Sequence, residues 1–257
     1  MPDLEGADPV TEPRETVGRM IHVAGRDGTF KAYLAPAATM QPAPCVLVCQ
    51  EIFGINKEMW RICENLAQMG YAAICPDLFW RLEPGIELDP TNEQEFKRAL
   101  DLMGRFDIDT GLADIQDTIT HARGLPETTG KVGVLGYCLG GLLAYLAACR
   151  TDADCAVSYY GVNIDRYAEE ARGITVPLLM HMAEEDEFVD KAQQGRIRDA
   201  LAKHPKVDLH SYAGVGHAFA RQTDTGHYNA QAARAANQRT ELFLTDTLGP
   251  GALKATP

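Results

Sequence analysis

The sequence predicts an α/β fold: a mostly parallel central sheet with helices on both faces. Two observations lead there. Short, nearly unbroken apolar runs recur along the chain, and longer segments with helical spacing separate them. Strands covered on both faces have no reason to alternate polar with apolar residues, so unbroken runs mark a parallel sheet. Strict alternation of strand and helix is the mark of right-handed crossovers that return each strand to the same sheet.

Taken in order, Ile21–Val23 and Thr29–Leu34 flank Arg26-Asp27-Gly28, which predicts an opening hairpin. The buried-strand pattern then follows at Cys45–Cys49, Ala72–Cys75, Lys131–Leu135, Cys155–Tyr159, Pro177–His181 and Val207–Tyr212. Helical spacing covers Lys57–Met69, Glu93–Met103, Thr110–Arg123, Leu139–Arg150, Lys191–Lys203 and Asn229–Thr247. Residues 1–17 carry acids and prolines but no apolar h-region, so they read as a flexible N-terminal tail and not as a targeting segment. Residues 18–248 read as a single domain, and 249–257 as a C-terminal tail. The longest near-apolar stretch, Leu142–Cys149, is far short of the ~20 residues a membrane helix needs.

Composition narrows the partners. The 257 residues carry 24 Lys+Arg against 36 Asp+Glu, a formal net charge of −12. Such a field repels phosphates, which argues against nucleic acid and against an anionic membrane surface and leaves a small molecule as the expected ligand. Seven cysteines, an odd number in a long chain, do not form a secreted disulfide framework; they point to a reducing, cytoplasmic setting. Cys45-x3-Cys49 comes nearest to a ligand pair, yet it lies within one apolar strand, so no metal and no cofactor is expected. A monomer is the favoured assembly.

In open α/β sheets chemistry gathers in the loops at the C-terminal ends of strands. Lys131–Leu135 runs directly into Gly136-Tyr137-Cys138-Leu139-Gly140-Gly141 and then into a helix. A nucleophile on such a turn needs small residues on either side so that strand and helix can pack closely, and Gly136 and Gly140 supply them. The turn lacks the Lys-Ser/Thr of a phosphate-binding loop. At a helix N-terminus the Cys138 thiol gains thiolate character, and the Leu139 N–H becomes half of an oxyanion hole. A base should follow in a later loop, and His217 stands in Ala213-Gly214-Val215-Gly216-His217 after the last strand. Between them lies an acidic loop in which Glu184, Glu185, Asp186, Glu187 and Asp190 could each orient an imidazole; spacing does not choose among them. At the end of the first long strand Glu51 places another carboxylate beside backbone that could supply a second oxyanion donor.

These pieces together resemble the dienelactone hydrolase (carboxymethylenebutenolidase) family of α/β-hydrolases: QEIFGIN at 50–56, GYAAICPDLF at 70–79, KVGVLGYCLGG at 131–141, EEDEFV at 184–189 and GHAFAR at 216–221. The likeness spans about residues 18–246. It implies a triad of Cys138, His217 and Asp186, oxyanion donors at the Ile52 and Leu139 N–H groups, and Glu51 as acceptor of the thiol proton once substrate is bound. It implies Arg221 as partner of a substrate carboxylate, with Phe53, Phe96 and Tyr159 as further pocket residues. The implied reaction is opening of a small lactone such as a dienelactone; a broader esterase or thioesterase acting on less charged esters is the alternative, and a non-catalytic binding protein a more distant one. One wall departs from the family pattern, with Phe96, Leu100 and Met103 where the family's type member carries an arginine, a tyrosine and a tryptophan. Arg81 and Arg105 are further cations that could compensate, and Arg221 with Lys97 or Arg98 is expected to make a local positive site.

Overall fold

The apolar runs become the strands of one sheet in the computed structural model, which describes residues 18–249 apart from 40 and 202. The tail expected over 1–17, and all of the second tail beyond Gly249, lie outside the described residues. The strands are β1 (Arg19–Gly25), β2 (Gly28–Ala35), β3 (Ala43–Cys49), β4 (Ala72–Pro76), β5 (Thr128–Tyr137), β6 (Cys155–Tyr159), β7 (Leu178–Ala183) and β8 (Val207–Tyr212). Their order is β1-β2-β4-β3-β5-β6-β7-β8. β1 and β2 form the hairpin, closing at Gly25 opposite Gly28, and β2 runs antiparallel to β4. β3 to β8 are all parallel. Burial follows position: every residue of β3 is buried, whereas of the edge strands β1 is largely exposed and β8 mostly half-buried or exposed.

The helices are α1 (Lys57–Gln68), α2 (Glu93–Arg105), α3 (Ile108–Arg123), α4 (Leu139–Arg150), α5 (Lys191–Leu201) and α6 (Ala230–Leu248). Side chains of Asn56, Asn92, Asp107 and Asn229 accept N–H bonds at the starts of α1, α2, α3 and α6, which is why those helices begin where they do. A 3₁₀ segment at Ile164–Gly173 was not foreseen, because only Ile164 and Ala171 of its ten residues are buried and no helical stripe results.

Alternation along β5 separates the two faces. A side chain at Gly133 would meet Leu244 and Leu248 of α6, whereas one at Gly136 would strike the carbonyl of Gly140 in α4. Helices therefore cover both sides. The chain steps from β3 outward to β4 and then back across β3 to β5, so the switch in strand order lies between β3 and β5. Beyond their C-terminal ends stand Glu51 and Cys138, where this class of sheet places its ligands.

Candidate active site

Cys138 occupies the turn between β5 and α4 with φ 56° and ψ −116°, a conformation that L-residues avoid at a cost of about 1–3 kcal/mol. The surroundings hold it there. Its N–H donates to the Tyr159 carbonyl at 3.1 Å, and its carbonyl accepts from Gly141 at 3.0 Å and Leu142 at 3.2 Å. A Cβ on Gly136 would lie 1.8 Å from the Gly140 oxygen, and one on Gly140 2.3 Å from the Cys49 oxygen. Both glycines are thus required by backbone contact, as the sequence pattern predicts. Among the described residues no backbone carbonyl takes the N–H of Leu139 or of Ile52, so both donors are open to an oxyanion.

His217 and Asp186 come from the loops after β8 and β7, and both are buried. The His217 Nδ1 lies 3.1 and 3.0 Å from the two Asp186 carboxylate oxygens. Asp186 is itself fixed by the Phe188 N–H at 2.9 Å, and the His217 N–H donates to Glu187 at 3.1 Å. Geometry thereby separates the acids that spacing left open: Glu185 pairs with Lys191, Asp190 accepts the Gln193 N–H of α5, and only Asp186 meets the imidazole nitrogen. The opposite nitrogen, Nε2, is buried with no hydrogen-bond partner among the described residues. Burial opposes charge on His217, but the fields of Cys138 and Asp186 outweigh it and push the imidazole up to about 10. The edges of Tyr160 and Phe188 close around the ring at centroid distances of 5.0 and 4.9 Å.

The second half of the site is an ion network. Arg221 donates from Nε and Nη2 to both oxygens of Glu51, each at 2.9 Å, and from Nη1 to Asp224 at 3.1 Å. All three side chains are buried. Phe53 lies beneath the guanidinium at 5.2 Å and Phe96 packs on Phe53 at 5.9 Å, so these two candidate pocket residues form one aromatic wall.

The Tyr159 side chain lies in the layer of α6, where its hydroxyl bonds Asn237 at 3.0 Å and Thr240 at 2.7 Å and lines a cavity with Arg61 and Tyr137. The next residue, Tyr160, reaches the imidazole instead, at φ 37°. The cations expected to form a local positive site are each paired with an acid. Lys97 pairs with Glu93, Arg98 with Glu83, Arg105 with Asp101, and Arg81 with Asp27 and Asp114, each cation neutralised by an acid nearby in the fold. Arg221 itself faces two carboxylates.

The other cysteines pack as apolar side chains. Burial pushes Cys45 and Cys155 up to about 12 and Cys149 up to about 11. Among the described residues no group of three or more His, Cys, Asp or Glu is arranged to hold a metal ion. No helix among them is long and apolar enough to cross a membrane. Sequence reasoning missed Tyr160, Phe188 and Asp224. Only Asp224 left a trace, an acid three residues after Arg221 in a turn-forming stretch.

Residues 30–248 match the model of the dienelactone hydrolase family. A carboxymethylenebutenolidase of Pseudomonas putida is 39% identical over 224 residues, covering 87% of this chain and 94% of that one. A second, carboxymethylenebutenolidase 1 of Cupriavidus pinatubonensis, is 39% identical over 217 residues, covering 84% and 92%. Among solved structures, the dienelactone hydrolase of Anabaena variabilis superposes with a TM-score of 0.68 at 19% identity, covering 91% of this chain and 100% of its own. At that identity the likeness speaks for the fold, which is that of the α/β-hydrolases.

Proposed function

The chain belongs to the dienelactone hydrolase family, a premise from which we propose a hydrolase that opens small lactones or cleaves activated esters through Cys138, His217 and Asp186. The observation that carries this reading is the buried imidazole of His217, bound to Asp186 through Nδ1 and coupled to the Cys138 sulfur, the arrangement of a nucleophile, its base and the base's orienter.

In the proposed sequence the Cys138 thiolate attacks the lactone carbonyl carbon, forming the C–S bond while the carbonyl pair moves onto oxygen. The Ile52 and Leu139 N–H groups hold that oxyanion. Its collapse breaks the ring C–O bond, and the departing oxygen leaves as an enolate or alkoxide that takes a proton from His217. The neutral imidazole then removes a proton from water, the hydroxide attacks the thioester, and the thiolate is expelled. Glu51, released from Arg221 as substrate enters, receives the thiol proton at the start and returns it at the end. A substrate carboxylate would take its place on Arg221. A thiol kept neutral until the site is filled is protected from oxidation between turnovers.

The same reading places residues 18–248 in one catalytic domain of a monomeric, cytoplasmic enzyme that needs neither metal nor cofactor and binds no nucleic acid. The seven cysteines, all free, support the reducing compartment. Cys138→Ala should lower kcat/KM on butenolides and aryl esters by more than about 10³-fold with the fold intact. Retention of turnover would overturn the mechanism.

A further inference from the structure

We infer that Asp224 sets the charge preference of this site, making it one for uncharged lactones and esters as well as carboxylated ones. The inference rests on the roles given above to Cys138, Glu51 and Arg221. A buried guanidinium cannot be left without a counter-ion, because an unpaired charge in that setting is strongly destabilising. If Glu51 were its sole partner, Glu51 could leave only when the substrate brought a carboxylate to replace it. Here a second carboxylate is already in place.

Asp224 accepts from Arg221 Nη1 at 3.1 Å and is 6% exposed. It is not free to follow a substrate. Its Oδ1 accepts the Gly226 N–H at 3.0 Å and its Oδ2 is 2.7 Å from His227 Nδ1. Burial alone would raise the Asp224 carboxyl, but His227, the Gly226 N–H and Arg221 together hold it below the usual range, so it is an anion at neutral pH. Arg221 therefore keeps a counter-ion when Glu51 departs. An anionic substrate meets an arginine already half neutralised, and Lys97, Arg98, Arg81 and Arg105 are each paired with acids of their own. The side chains packed next to Arg221 are the tilted rings of Phe53 and Phe96, an apolar wall that favours apolar substituents.

The test uses two probes, a butenolide bearing a carboxylate and the same ring with that group converted to a primary amide, followed by kcat/KM on the full chain. Wild type should turn over both, with rates within about tenfold of each other. Asp224→Asn, which removes the charge but keeps the shape, should raise the carboxylate-to-amide ratio by at least about tenfold, because one negative charge near the docking position is lost. Asp224→Glu, which keeps the charge, should leave the ratio within about threefold of wild type. A merely structural Asp224 would lower both rates together. Equal losses on the two probes, or a wild-type preference for the carboxylate above about a hundredfold, would overturn the inference; the wild-type measurement decides even if Asp224→Asn does not fold. Turnover that depends on Cys138 with an unmoved ratio defeats this inference alone. No turnover of either probe by folded wild type defeats the hydrolase reading beneath it.

Discussion

Two histidines, His181 in β7 and His217 in the loop after β8, are almost equally buried and behave in opposite ways. His181 lies between hydroxyls, with Nδ1 2.8 Å from Tyr212 and Nε2 3.0 Å from Thr240. Burial, with smaller contributions from His210 and Arg239, drives its pKa well below 6.5 and keeps it neutral. His217 loses as much water but gains Asp186 and the Cys138 sulfur, and its pKa moves up to about 10. Burial alone makes a histidine an uncharged packing residue. Burial beside the Asp186 carboxylate and the Cys138 sulfur raises its pKa instead, so that it can hand a proton to a leaving oxygen. The difference in partners, not in depth, marks the chemical site.

Removing the partner should erase the contrast, and this is the largest effect expected. Asp186→Asn should lower kcat on the order of 10³-fold, since the amide neither fixes the imidazole tautomer nor supports its charge. The pH profile carries the sign. His217 has a folded pKa above the unfolded value of 6.5, so its contribution to stability is complete below 6.5 and is lost as pH rises through about 10. The alkaline limb of kcat/KM should therefore lie near 10 in wild type and at lower pH in Asp186→Asn, where only the Cys138 field still raises the imidazole. An alkaline limb at the same pH in both proteins would mean that Asp186 does not set the histidine's charge.

The same contrast explains what could be read from the chain. Cys138 and His217 are legible because sheet topology places them: glycines that permit close backbone contact flank Cys138, Gly214 takes a positive φ before His217, and each follows a recognisable strand. Asp186 is not legible from spacing, because its distinction from Glu185 or Glu187 lies in side-chain direction, and only the family resemblance selects it. Tyr159 and Tyr160 defeat sequence reading for a related reason. Tyr160 lies just past the end of β6, and the positive φ that turns it toward His217 has no signature in a tyrosine. The Arg221 network is least legible, since Glu51 and Arg221 are 170 positions apart and the charges of Lys97 and Arg98 are consumed by partners that only the fold supplies.

His181 offers the reverse experiment. Its folded pKa is depressed, so stability is present above the unfolded value near 6.5 and falls as pH drops below it, where the unfolded chain takes up a proton that the folded one refuses. The slope from this one group approaches about 1.4 kcal/mol per pH unit. Urea unfolding of wild type between pH 7 and pH 5 should show a steeper loss of stability than His181→Asn over the same range. Parallel curves would mean that His181 is charged in the folded protein after all.

The smallest effect is expected at Tyr159, which shares the Thr240 hydroxyl with His181. Tyr159→Phe keeps the ring against Tyr137 and His181, at 4.7 and 4.4 Å, and removes only the hydroxyl that bonds Asn237 and Thr240. The loss should be about 1 kcal/mol of stability, because a buried polar contact is broken while Thr240 retains its histidine partner. Turnover should stay within about twofold of wild type, since the hydroxyl faces α6 on the side of the sheet away from α4. A rise in KM without loss of stability would instead put the hydroxyl in the substrate pocket. The comparison of the two histidines would then have to be redrawn, because the Tyr159, Thr240 and His181 network would extend into the chemistry and would not lie behind it.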